Sequence, residues 1–134
     1  MIVDTKDFFS SVMEILNDQD VTFKIKGTSM WPFFKDGKTN ITLTKPTQIR
    51  KLEVYLFKYK ESFFLHRLIG IQRGVYIFKG DGLTKKEYVK KEDIVGHVTA
   101  YETKRVISVT KCSYKLRVRL YRILPRKLII KVFK

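Results

Sequence analysis

Hydrophobic positions along this chain change period twice. Between Asp4 and Asn17, Phe8, Val12, Ile15 and Leu16 recur at helical spacing and Asp4 or Thr5 can cap the segment, so a short packing helix is predicted. From Val21 the period drops to two. Val21, Phe23 and Ile25 alternate with Thr22, Lys24 and Lys26, which marks a half-buried strand. Further β-branched or aromatic runs predict strands over Asn40 to Thr44, Glu53 to Tyr59, Ser62 to Ile71, Val75 to Lys79, Ile94 to Glu102 and Arg105 to Thr110. Turn residues separate them at Asp36-Gly37, Lys60-Glu61, Arg73-Gly74 and Gly80-Asp81-Gly82. After Lys111 helical spacing returns: Leu116, Leu120, Ile123 and Leu124 form one stripe, and beyond Pro125 the residues Leu128, Ile129, Val132 and Phe133 oppose Lys127, Lys131 and Lys134. The pattern predicts a mostly β, compact antiparallel domain with a short N-terminal helix over residues 1–110, and a basic amphipathic helical tail over 111–134.

Composition fits one folded domain. At 134 residues the chain can bury a core, and 44% hydrophobic residues argue against disorder. The single cysteine, Cys112, excludes an internal disulfide framework and fits a reducing compartment, where a buried or half-buried thiol without a catalytic role is expected. Met1 to Asp7 carries two aspartates and does not read as a secretory signal, and no run approaches the roughly 20 apolar residues of a membrane span. A cytoplasmic location is expected.

Charge changes the picture of the tail. The chain carries a formal net charge of +15, and from Thr103 onward it has 11 Lys or Arg and no Asp or Glu. The remaining 17 basic residues stand against 13 acidic ones, so the body is nearly balanced. An anionic partner for the tail follows, and a basic amphipathic helix suits the inner face of a membrane. Docking of the same apolar residues on the body is the other expectation, and nucleic acid ranks third because no recognition motif accompanies the charge.

Three stretches carry candidate chemistry. In Lys26-Gly27-Thr28-Ser29-Met30-Trp31-Pro32, Gly27 can adopt conformations closed to other residues and Pro32 restricts Trp31, so Ser29 sits on a constrained turn. A serine needs a base to become a nucleophile. His66, in Phe63-Phe64-Leu65-His66-Arg67-Leu68-Ile69-Gly70, shares a strand face with Phe64 and Leu68, where lost hydration favours the neutral, proton-accepting imidazole. Arg67 faces the other way. An acid near His66 would orient the ring; Asp81 in Lys79-Gly80-Asp81 is the first candidate and Glu87 the second.

The ordered set Gly-x-Ser-Met-x-Pro, His-Arg-aliphatic-Ile-Gly, Lys-Gly-Asp and Ile94-Val95-Gly96-His97-Val98 resembles the type I signal peptidases over about Phe23 to Glu102. The residue before the arginine is a lysine base in the bacterial branch and a histidine in the archaeal and endoplasmic-reticulum branch, and this chain is similar to the second. Self-cleaving repressors of the LexA type share the β-fold, but the cleavable Ala-Gly segment that precedes their serine is absent here. The resemblance implies a serine endopeptidase acting on an extended peptide such as a signal or leader segment. Ser29 would be the nucleophile and His66 the base, with Asp81 (or Glu87) the acid and no metal or cofactor. Three departures accompany it: no transmembrane anchor; Gly27 where bacterial members often have an oxyanion-holding serine, which leaves the Ser29 backbone N–H to that task; and Glu87 in the region where a further aspartate is usual. The alternative is a non-catalytic relative, a peptide-binding or regulatory module at a membrane or nucleic acid.

Overall fold

The period-two segments pair into one curled antiparallel sheet in the structure, a computed structural model that describes residues 5–103, 106–110 and 112–123. A helix, α1 (Thr5–Leu16), precedes strands β1 (Val21–Lys24), β2 (Asn40–Thr44), β3 (Val54–Tyr59), β4 (Ser62–Gln72), β5 (Val75–Lys79), β6 (Lys86–Lys90), β7 (Ile94–Glu102) and β8 (Val106–Ser108), and α2 (Cys112–Ile123) follows them. The strand order is β1-β2-β7-β3-β4-β5-β6, with β8 on β7. Two long strands do the joining. β4 pairs with β3 over Ser62 to Arg67 and with β5 over Arg67 to Gln72, while β7 pairs with β3 and then with β2. Register shifts at Thr42/Leu43, Leu56/Phe57 and Leu68/Gly70 interrupt the ladders, and such irregularities bend a strand and raise its twist.

Alternation along β3 explains why the sheet has a core on each side. Val54 and Leu56 point toward α1, Met30, Phe34 and Val98; Tyr55 and Phe57 point toward Leu68, Phe78 and Val89. All four are fully buried. Side chains of this kind each contribute about 1.5–3 kcal/mol by leaving water, so a polar substitution in β3 harms whichever core that position faces.

Two elements depart from the expectation. Lys86–Lys90 is a strand, with Glu87 and Val89 inward and Lys86, Tyr88 and Lys90 outward. Residues 112–123 belong to the body rather than to a separate tail: Tyr114 and Val118 join the first core, and Tyr121 packs against it. The helix has two apolar stripes, and the one bearing hydroxyls is docked. Leu116, Leu120 and Ile123, the stripe expected from sequence, face outward. Cys112 is exposed rather than buried. The helix expected beyond Pro125 lies outside the described residues. No helix among the described residues is long and apolar enough to cross a membrane.

Candidate active site

Ser29 is held by what its neighbours bury. After β1, Ile25 exchanges backbone hydrogen bonds with Thr39 and Gly37, at 3.0 Å each, and the intervening chain forms a closed loop. Gly27 takes φ +100°, a left-handed conformation that favours glycine, and its N–H donates to Asp36 Oδ1 at 2.8 Å. Met30, Phe33 and Phe34 then enter the first core, and the N–H groups of Phe33 and Phe34 both donate to the Met30 carbonyl at 3.0 Å. Ser29 is left half-buried at the mouth of the loop. Its carbonyl accepts the Gly82 N–H at 2.8 Å, and among the described residues no acceptor takes its own N–H.

His66 reaches the same place from β4. The imidazole is 3% exposed, lies 5.5 Å from the Phe64 ring and 6.0 Å from Phe57, and its Nδ1 stands 2.6 Å from Glu87 Oε1. A carboxylate on Nδ1 keeps the proton there, so Nε2 presents its lone pair. The segment Gly80-Asp81-Gly82 passes close by. A side chain at Gly80 would put Cβ 2.6 Å from the Ser29 carbonyl oxygen and 3.1 Å from His66 Nε2, and one at Gly82 would come within 2.8 Å of the Thr28 carbonyl. Only glycine fits at either position. Ser29 and His66 line one cleft of about 250 Å³ with Phe9, Phe23 and Phe63.

Asp81, the first-choice acid, is committed elsewhere. Arg67 Nε and Nη2 donate to its two carboxylate oxygens at 2.8 and 2.7 Å, a bidentate pair. Consecutive strand residues face opposite sides of a sheet, so the acid that reaches Arg67 is turned away from His66. Glu87 fills that position instead. Arg67 is 0% exposed, and its Nη1 also donates to the Leu52 carbonyl at 2.7 Å and to Tyr114 Oη at 2.9 Å. Burial alone would favour the neutral guanidine, but the charge and hydrogen bonds of Asp81, together with Tyr114, outweigh it and hold the proton more tightly. Burial likewise pushes the Tyr114 hydroxyl up, against the opposing pull of Arg67.

The helix α2 thus reaches the site, which sequence reasoning missed. Tyr121 Oη donates to the Asp81 carbonyl, one residue before the N–H that holds Ser29. Spacing of Tyr114, Val118 and Tyr121 at i, i+4 and i+7 was the available signal. A second His–Glu pair lies apart from the cleft: His97 Nε2 is 2.6 Å from Glu53 Oε1, and its ring stacks on Tyr55 at 4.7 Å. Burial pushes the Glu53 carboxyl up, yet the hydrogen bond and charge of His97, with the charges of Arg50 and Lys115, outweigh it and leave Glu53 below its ordinary value. Among the described residues no group of three or more His, Cys, Asp or Glu is placed to hold a metal ion.

No protein-family model matches the chain, and comparison with curated proteins finds no match. Chemically, the arrangement offers a hydroxyl, an oriented imidazole and an available backbone N–H at one cleft.

Proposed function

We propose that the protein is a serine endopeptidase similar to the signal peptidases, with Ser29 as nucleophile, His66 as base and Glu87 as the acid that orients it. The observation that carries this reading is the buried His66–Glu87 pair, whose free ring nitrogen lies beside the Ser29 loop. Ser29 Oγ attacks the scissile carbonyl as its proton passes to His66 Nε2, and Glu87 stabilises the imidazolium. The Ser29 N–H donates to the oxyanion. Collapse of that intermediate breaks the C–N bond, His66 returns the proton to the leaving amine, and water then hydrolyses the acyl-enzyme by the same route.

An extended peptide suits the walls of the cleft. One wall is Phe23 to Gly27, the end of β1 and the residues after it, and β1 pairs only with β2 among the described strands; the other is Phe63 to His66, where β4 pairs only with β3. A strand laid between them would find backbone groups on both sides. A fluorophosphonate should form an adduct on Ser29, detected by mass spectrometry, and Ser29→Ala should abolish it. His66→Ala should slow labelling by about 10⁶-fold, the scale seen when a base of this kind is removed. Equal labelling of His66→Ala and the native chain would leave only a non-catalytic peptide-binding role.

We further place the enzyme at the inner face of a membrane. Leu116, Leu120 and Ile123 stand outward on α2, the first 57% and the last 76% exposed, and Lys115, Arg119 and Arg122 border them with no acid on the helix. Each basic residue near an anionic leaflet adds about 1 kcal/mol of attraction. The chain should co-float with vesicles containing phosphatidylserine and not with neutral ones, and Leu116→Glu with Ile123→Glu should release it. Failure to float with the phosphatidylserine vesicles would remove the membrane from this reading, and equal flotation with neutral ones would remove the charge from it.

A further inference from the structure

The serine cleft borders a much larger groove. A cavity of about 850 Å³ runs between α1, residues 45–49 and the start of β7, and Phe63 lines both it and the cleft of about 250 Å³. Their rims share one chemistry. Lys24 and Lys26 border the cleft, and Lys45, Lys58 and Lys91 border the groove; all five are exposed. Lys58 stands directly across from Phe63 in the β3–β4 register, at the junction of the two spaces. Among the described residues none of the five is ion-paired, and Glu14 is the one acid on either rim. Between the lysines the groove presents the apolar Met13, Ile49, Tyr76 and Ile94 beside the polar Asn17, Thr47 and Gln48.

Five unpaired cations around a groove with apolar side chains among its walls complement a ligand that presents both acids and apolar groups. A strand presents successive side chains to opposite faces, so one extended peptide can meet both demands when acidic and apolar residues alternate. We propose that the substrate of this site is an acidic peptide with alternating apolar residues, seated along the lysine rim so that one end crosses Phe63 into the Ser29 cleft. This rests on the endopeptidase reading for the direction of the peptide, whereas seating on the rim requires no chemistry at Ser29.

Binding is therefore measured with the full chain carrying Ser29→Ala, by fluorescence anisotropy. The probes are labelled peptides of about twelve residues, long enough at about 3.3 Å per residue to span cleft and groove, in which Leu alternates with Glu, Gln or Lys. The Glu peptide should bind about 10-fold tighter than the Gln peptide at low salt, the Lys peptide should bind more weakly still, and the advantage should fade as salt screens the rim. Joint Lys45→Glu, Lys58→Glu and Lys91→Glu substitution should erase the preference with the thermal midpoint little changed, because all three side chains are exposed. Equal affinity for the three peptides, or a preference that survives the triple substitution, would overturn the proposal. Displacement of the Glu peptide by a single-stranded oligonucleotide of equal charge at lower concentration would overturn it in favour of nucleic acid. Acidic peptides that bind but are not cut by the native chain would uphold the rim and refute the peptidase, and cleavage without charge preference would do the reverse.

Discussion

His66 and Arg67 are adjacent in sequence, both nearly fully buried, and each is held by a carboxylate, yet they occupy different worlds. His66 faces the cleft with one nitrogen engaged by Glu87 and the other beside the Ser29 loop. Arg67 faces the opposite side, sealed under α2, with hydrogen bonds to Asp81, Leu52 and Tyr114. A buried ion pair acquires a chemical role only when one partner keeps an unengaged atom facing solvent or substrate. The Arg67–Asp81 pair keeps none, so its work is to hold Gly82 against Ser29.

The largest effects should separate the two pairs. Glu87→Gln keeps size and polarity but removes the charge that stabilises an imidazolium, and Ser29 labelling should fall about 10²–10⁴-fold with little loss of stability. Asp81→Asn leaves a buried guanidinium without its counter-charge, which costs about 3–5 kcal/mol and should lower the thermal midpoint by about 10 °C or more. Labelling rates and thermal melts of both variants decide the matter. A stable but inert Asp81→Asn beside a fully active Glu87→Gln would exchange the two roles.

Much of this division was legible in the chain. Alternation along Phe63 to Gly70 assigns His66 and Arg67 to opposite faces, and helical and period-two spacings give α1 and most strands. Glu87 was legible only as the second candidate for the acid, for a physical reason. Lys86-Glu87-Tyr88-Val89-Lys90 has a buried face of only two residues, one of them charged, and Lys and Glu are poor strand formers. Nothing local marks it as a strand; pairing with β5 imposes that state. The docking face of α2 was hidden in a similar way, since Tyr114 and Tyr121 bury rings only because Arg67 and the Asp81 carbonyl stand ready for their hydroxyls.

That hydroxyl pairing gives a smaller, graded test of the sealed side. Tyr114→Phe keeps the ring and removes one acceptor from Arg67, whose Nη1 retains the Leu52 carbonyl. Tyr121→Phe frees the Asp81 carbonyl next to the Gly82 contact with Ser29. Each should cost about 1 kcal/mol, the usual net worth of one hydrogen bond, and lower the thermal midpoint by a few degrees. Tyr121→Phe should also slow Ser29 labelling more than Tyr114→Phe does, because its contact lies one residue from the serine loop. Identical labelling rates would confine α2 to stability.

The smallest effect concerns the pair that matches His66–Glu87 in distance, through the other ring nitrogen, and lacks its neighbour. His97 and Glu53 meet at the same 2.6 Å, but neither lines the serine cleft, so Glu53→Gln should leave labelling unchanged. Its signature is in stability against pH. The folded-state pKa of Glu53 lies below its ordinary value: burial pushes it up, and the hydrogen bond and charge of His97, together with the charges of Arg50 and Lys115, outweigh that. A carboxylate depressed on folding contributes stability that is fully present above the unfolded carboxylate range and lost as pH falls through the folded value. The native chain should therefore melt higher than Glu53→Gln near neutrality, and the gap should close on acidification below about pH 4, where carboxylates protonate in the unfolded chain as well. A gap that stays constant down to pH 3 would mean that Glu53 supports the sheet by packing rather than by charge. A loss of labelling in the variant would extend the active site to His97 and end the contrast between a histidine pair beside a serine and one without.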